Sequence, residues 1–196
     1  MKKTIFLLIA STISLCSCST LYYGYLPGTE YKFLKPINNM NLEGKSFSIN
    51  FKDNRGDTNR ISCSELTLDR KTELEGDLGM QYLSESVISM IKNCNGKIDP
   101  NSPDKFTIEL EGLSFELIGV GYIVAHGLVQ FKVTSASLNK TYCSDMTDSD
   151  SDSPLKWYSL TTRQSGSRMM VSGAMRRSVE NFAKDLNGLS IGGHVK

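Results

Sequence analysis

The segment DMTDSDSDSP, Asp145 to Pro154, concentrates more chemically capable side chains than any other stretch of the chain. Asp148, Asp150 and Asp152 alternate with serines, as at the first, third and fifth positions of a calcium loop. Such a loop also needs glycine where Ser153 stands and a bidentate glutamate where Ser159 stands. Neither is there, so the segment reads as a strand-end loop of solvated charges, with the three aspartates a residual calcium candidate. No other metal site is expected, and no cofactor. The chain has only two histidines, His126 and His194, with no cysteine or acidic pair at ligand spacing, and a Ser-His-Asp arrangement has little to build on. There is no Gly-x-Ser-x-Gly elbow and no phosphate-binding glycine loop; Gly119-Val120-Gly121 is explained by a hairpin. Arg55-Gly56-Asp57 spells an adhesion tripeptide where a turn wants glycine in any case. No catalytic residue is assigned.

The elements that would position these groups follow from periodicity. In KSFSINFKD, Phe47, Ile49 and Phe51 alternate with polar residues, which predicts a strand with one buried face. Met80, Leu83, Val87, Met90, Ile91 and Cys94 recur at spacings of three and four and predict an amphipathic helix, stopped by Gly96 and Pro100. In KFTIELEGLSFELI, Phe106, Ile108 and Leu110 alternate, then the phase slips to Leu113, Phe115 and Leu117. A slip at Glu111-Gly112 would turn every later side chain to the wrong face unless a β-bulge absorbs it, so a bulge is expected there.

GVGY then turns into a long strand in which Ile123, Ala125, Gly127, Val129, Phe131 and Val133 share a face and His126 points the other way. Further strands are expected at about 140–146 and 156–162. A closing helix from about Arg168 to Leu186 carries a stripe of Val171, Met175, Val179, Phe182 and Leu186, capped by Ser165 or Ser167 and ended by Gly188. Met169 and Met170 beside Arg168, Arg176 and Arg177 read as core. The order predicts an α+β fold: a two-layer, mostly antiparallel sheet of four to five strands with two helices on one face.

Five cysteines fall into two groups. Cys63, Cys94 and Cys143 are far apart, with no Cys-x-x-Cys. In an oxidising compartment one disulfide and one remaining thiol are expected, the pairing being unreadable from sequence. Cys16 and Cys18 stand at the end of a start with Lys2, Lys3 and an apolar run from Ile5 to about Leu15. That order is the pattern of a secretory signal peptide, and the run is too short to span a bilayer. Leu15-Cys16-Ser17-Cys18 resembles the lipobox of bacterial lipoproteins: an aliphatic residue, then a small one directly before the cysteine. Cys18 fits; Cys16 does not, because Leu15 would take the position that needs a small residue.

The resemblance implies cleavage after residue 17 and lipidation, palmitate included, of Cys18. Ser19 next to it implies the outer membrane by the enterobacterial sorting rule. The expected organisation is a signal peptide at 1–17, a lipid-anchored tether at 18–43 and a single α+β domain at 44–196. Tyr22, Tyr23, Tyr25 and Tyr31 in the tether either sit at the lipid interface or pack on the domain.

The whole chain has 22 Lys and Arg against 21 Asp and Glu. Without residues 1–17 the balance turns slightly acidic, with no Lys/Arg stripe, which argues against nucleic acid as a partner. A lipobox, a strand running into Asp-Asn-Arg (FKDNR), an amphipathic helix, a β-meander and a closing helix resemble YajG-type envelope lipoproteins over about 45–186. That resemblance implies no catalytic residues. The expected function is a non-enzymatic, periplasm-facing lipoprotein that binds a protein partner in the cell envelope. The alternatives are a lipoprotein that holds a lipid or small apolar ligand between sheet and helices, and an envelope hydrolase with His126 or the aspartates converging on a pocket.

Overall fold

The computed structural model describes residues 40–56, 60–63, 66–69, 78–121, 123–154 and 163–192. In chain order the elements are β1 (Ser46–Asp53), β2 (Arg60–Cys63), β3 (Leu66–Asp69), α1 (Leu78–Asn93), β4 (Lys97–Ile98), β5 (Lys105–Ile118), β6 (Val124–Thr134), β7 (Asn139–Thr147) and α2 (Arg163–Gly192). The class is α+β: a five-stranded sheet in the order β4-β1-β5-β6-β7 carries both helices, and β2 and β3 form a separate hairpin.

The sheet is mixed, with the greater part of its ladder antiparallel as expected. β1 pairs in parallel with β4 and with β5, while β5, β6 and β7 form an antiparallel meander. Alternation in KSFSINFKD reports a buried face and says nothing about the direction of a neighbour. Parallel pairing of β1 with β5 needs a crossover, and α1 provides it.

The phase slip in β5 is a bulge. Leu110 faces Phe131, Gly112 faces Gln130, and Glu111 is the extra residue between them. The bulge keeps Ile108, Leu110, Leu113 and Phe115 all on the buried face, as alternation without it could not. The Glu111 carboxylate accepts from Gln130 Nε2 at 2.7 Å.

α1 buries Leu83, Val87, Met90 and Ile91, and Cys94 directly after it is buried with them. Its end is made by Asn95, not by Gly96 or Pro100. Asn95 takes φ +60°, and the N–H of Gly96 reaches the carbonyl of Ile91 at 2.8 Å, which closes a Schellman turn. Leu42 is fully buried and donates its N–H to the Cys94 carbonyl at 2.7 Å, so packing into the domain begins before residue 44.

α2 is longer than its apolar stripe. Val171, Met175, Val179, Phe182 and Leu186 are buried as expected, and Met169 and Met170 are core. Ser165 and Ser167 lie inside the helix rather than at its cap, and Gly188 does not end it. A glycine costs an exposed helix only about 1 kcal/mol, too little to stop one already held by packing. Gly127 lets this helix sit directly on β6: a Cβ there would lie 2.5–2.6 Å from the backbone carbonyl group of Met170.

Between the layers, Phe182 meets the rings of Phe106, Phe131 and Tyr142 at centroid distances of 6.2, 6.5 and 5.5 Å. On the sheet's other face, a disulfide joins Cys63 of β2 to Cys143 of β7 and Leu128 is buried against it. Cys94, buried under α1, is outside this bond. The strand expected at 156–162 lies outside the described residues.

Candidate functional site

The acidic loop after β7 closes onto α2. Arg176 and Arg177 follow one another on the helix, and β7 delivers the aspartates opposite them. Arg177 Nη1 donates to Asp150 Oδ2 at 2.9 Å and to the Asp145 carbonyl at 2.8 Å, and its Nη2 donates to Asp152. Arg176 Nη2 reaches Asp152 Oδ2 at 2.8 Å. Asp150 Oδ2 also accepts from the Thr147 N–H at 2.8 Å, which tightens the turn itself. The planar guanidinium fork suits this bridging of two carboxylates and a carbonyl.

The carboxylate oxygens that a calcium ion would use on Asp150 and Asp152 are thus engaged by arginine. Asp148 differs from the solvated charge expected of it. It is buried, its N–H donates to the Ala125 carbonyl at 3.1 Å, and its Oδ1 has no hydrogen-bond partner among the described residues. Among the described residues no group of three His, Cys, Asp or Glu side chains is placed to hold a metal ion.

His126 lies on the sheet face away from the helices, with Nδ1 3.4 Å from Asp145 Oδ1. It pairs there with a β7 side chain, whereas Asp150 and Asp152 turn to α2. His194 and Asp57 lie outside the described residues. Arg55 of the tripeptide turns back on Asp53, with Nε 2.8 Å from Oδ1. The Asn54 N–H donates to the Leu110 carbonyl at 2.9 Å, and a Cβ on Gly79 would come within 3.0 Å of Arg55 Nη1. The Asp-Asn-Arg motif therefore joins the end of β1 to the bulge of β5 and the first turn of α1.

A third polar group spans strand and helix. Asp185 accepts from Lys140 Nζ at 2.6 Å and from the Tyr142 hydroxyl at 2.7 Å. Burial, and then the neighbouring Asp185 carboxylate, push the Tyr142 phenol well above its ordinary value. Asp152, Asp185 and Asp53 are all held below the usual carboxylate range, by Arg177, Lys140 and Arg55 respectively.

A depressed folded-state pKa contributes stability that is present above the unfolded value of about 3.8 and is lost as pH falls through the folded value. The urea midpoint is therefore expected to hold from neutrality to about pH 5 and to fall below about pH 4. Arg177→Ala should cost about 1–2 kcal/mol at neutral pH, since the fork is partly open to solvent. It should also flatten part of the acid loss. An unchanged pH profile in that variant would contradict the clasp.

This arginine clasp was not anticipated from sequence. The only available clue was that Asp150 and Asp152 alternate on one side and two arginines are adjacent on the other. The rings of Phe106, Phe131, Tyr142 and Phe182 pack together between sheet and helices.

No family model matches the chain, and no curated protein does. Some solved structures align with it at low identity. A Xanthomonas campestris protein of the DUF330 family aligns over 83% of this chain and 93% of its own, at 13% identity and a TM-score of 0.46. An uncharacterised protein aligns over 74% and 99%, at 9% identity and 0.39. A minor lipoprotein from Acinetobacter baumannii aligns over 74% and 92%, at 8% identity and 0.37.

Proposed function

We propose that this protein is a non-enzymatic, lipid-anchored accessory of the bacterial cell envelope, displayed toward the periplasm from the outer membrane, where it binds a protein partner. The observation that carries this reading is Leu15-Cys16-Ser17-Cys18 behind a basic and then apolar start. The Cys63–Cys143 disulfide agrees with an oxidising compartment. The order of elements and the Asp-Asn-Arg motif support a YajG-like accessory over an enzyme. The polar groups that caught the eye in the sequence also serve cohesion: Arg55 with Asp53, and Arg176 and Arg177 with Asp150 and Asp152, tie elements together.

Labelling of growing cells with palmitate tests the anchor. The wild-type chain should take up label, Cys16→Ser should do the same, and Cys18→Ser should take up none. Label persisting in Cys18→Ser would sink the anchor. Affinity purification after cross-linking in cells tests the partner, and failure to recover any envelope protein would count against it.

A further inference from the structure

The β5–β6 hairpin ends in an apolar tip that the fold leaves uncovered. Leu117, Ile118, Val120 and Ile123 are 51, 37, 102 and 57% exposed, the large hydrophobic side chains most open to solvent among the described residues. Ile123 and Leu117 continue the inward alternation of their strands, yet both side chains are exposed. From Leu117 to Ala125 the sequence LIGVGYIVA contains no charge. Gly119 and Gly121, at φ +145° and +85°, supply the turn and let Val120 stand out at its apex.

We infer that this tip inserts into the surface of a lipid bilayer, and that the bilayer is the one holding the anchor on Cys18; the inference rests on the lipid-anchor reading for that second part. Three observations select lipid over protein. First, four side chains at the end of a two-stranded ribbon fall well short of the roughly 800 Å² per partner of a stable protein interface, whereas insertion needs only depth. Second, the β5–β6 ladder continues to Ile118 opposite Val124, so only the few peptide groups of the turn lie beyond it, and a shallow insertion leaves those within reach of headgroups and water.

Third, the reach is sufficient. The chain enters the domain beside Cys94 and Asn95, at the end of the sheet where β5 begins, which is the end away from the tip. At ~3.3 Å per residue β5 is about 45 Å long, and residues 19–39 fully extended cover about 70 Å. A lipid at Cys18 and the tip can therefore meet one membrane, and the tether raises the local concentration at which a shallow apolar contact must compete.

The test uses the chain from residue 18, exported behind an ordinary cleavable signal and carrying Cys18→Ser, with vesicles of phosphatidylethanolamine and phosphatidylglycerol. It should float with the vesicles, and adding Val120→Asp and Ile123→Asp should lower the bound fraction about tenfold. Both side chains are exposed, so the circular dichroism and melting temperature should not move. Raising salt to about 0.5 M should change little, because the tip carries no cation. In Val120→Trp, lipids brominated near the carbonyl end of the acyl chain should quench the added fluorescence.

Equal flotation with and without the two aspartates would overturn the inference. So would a photo-crosslinker at position 120 that captures, in cells, a second copy or another protein as a discrete band. Palmitate labelling of the wild type separates the two readings: label without tip-dependent flotation leaves the anchor standing alone, and tip-dependent flotation without label leaves the tip standing alone.

Discussion

Replacing Cys63 and Cys143 together by serine should lower the unfolding free energy by about 4–5 kcal/mol, the largest effect expected of any change outside the core. The bond closes a loop with a sequence separation of 80. In the chain-entropy account a loop of that size restricts the unfolded ensemble by about 4.5 kcal/mol. The native state adds a second reason. The hairpin of β2 and β3 is apart from the main sheet, and its Cys63 is buried with Leu128 on the face away from the helices. Without the bond, that hairpin keeps only its own short ladder and local packing. Amide exchange should therefore accelerate first in Arg60–Cys63 and Leu66–Asp69, ahead of global unfolding. Urea titration of the double variant beside the oxidised wild type measures the total; a difference under about 1 kcal/mol would mean the unfolded chain is already restricted there.

Phe182→Ala should cost about 3–5 kcal/mol, and should lower the melting temperature by about 10 °C or more. Phe182 is fully buried on α2 and meets three rings from three different strands: Phe106 of β5, Phe131 of β6 and Tyr142 of β7. Removing it opens a cavity between layers that none of the three can close alone, since each is fixed in its own strand. Tyr142 is further held by its bond to Asp185 one turn along the same helix. Phe182→Leu keeps most of the volume and should cost well under half as much. Calorimetry of the two variants distinguishes cavity formation from loss of aromatic contact: similar losses in both would favour the rings themselves.

The sequence made the buried faces legible but not their partners. Periodicity located β1, α1, β5, β6, β7 and the stripe of α2, and the phase slip at Glu111 located the bulge. Each of those signals is local, a matter of which side of one element is apolar. Strand direction, the pairing of β1 with β5 and the choice of Cys143 for Cys63 are relations between distant residues, and alternation carries no record of them.

β2 and β3 escaped notice because RISC and LTLD, four residues each, are too short for a period to show. Gly188 misled for a different reason: a local breaker was outvoted by packing earlier in the same helix. At the candidate site, the aspartates were visible as a pattern while their arginines were visible only as charges. Electrostatic complementarity across 24 or more residues becomes a contact only when the fold supplies it.

The 80-residue span of the disulfide also bears on the order in which the chain can mature. A chain that reaches an oxidising compartment amino end first presents Cys63, then Cys94, and only much later Cys143. During that interval the wrong pair is the only one of these three available, and thiolate exchange is what can undo it. The fold resists this error by burying Cys94 at the end of α1, in a cluster whose members Phe47, Leu83 and Met90 all emerge before Cys143 does. The strand that β1 needs, however, begins at Lys105, after Cys94. The early helix must therefore hide its thiol before the sheet beneath it is finished.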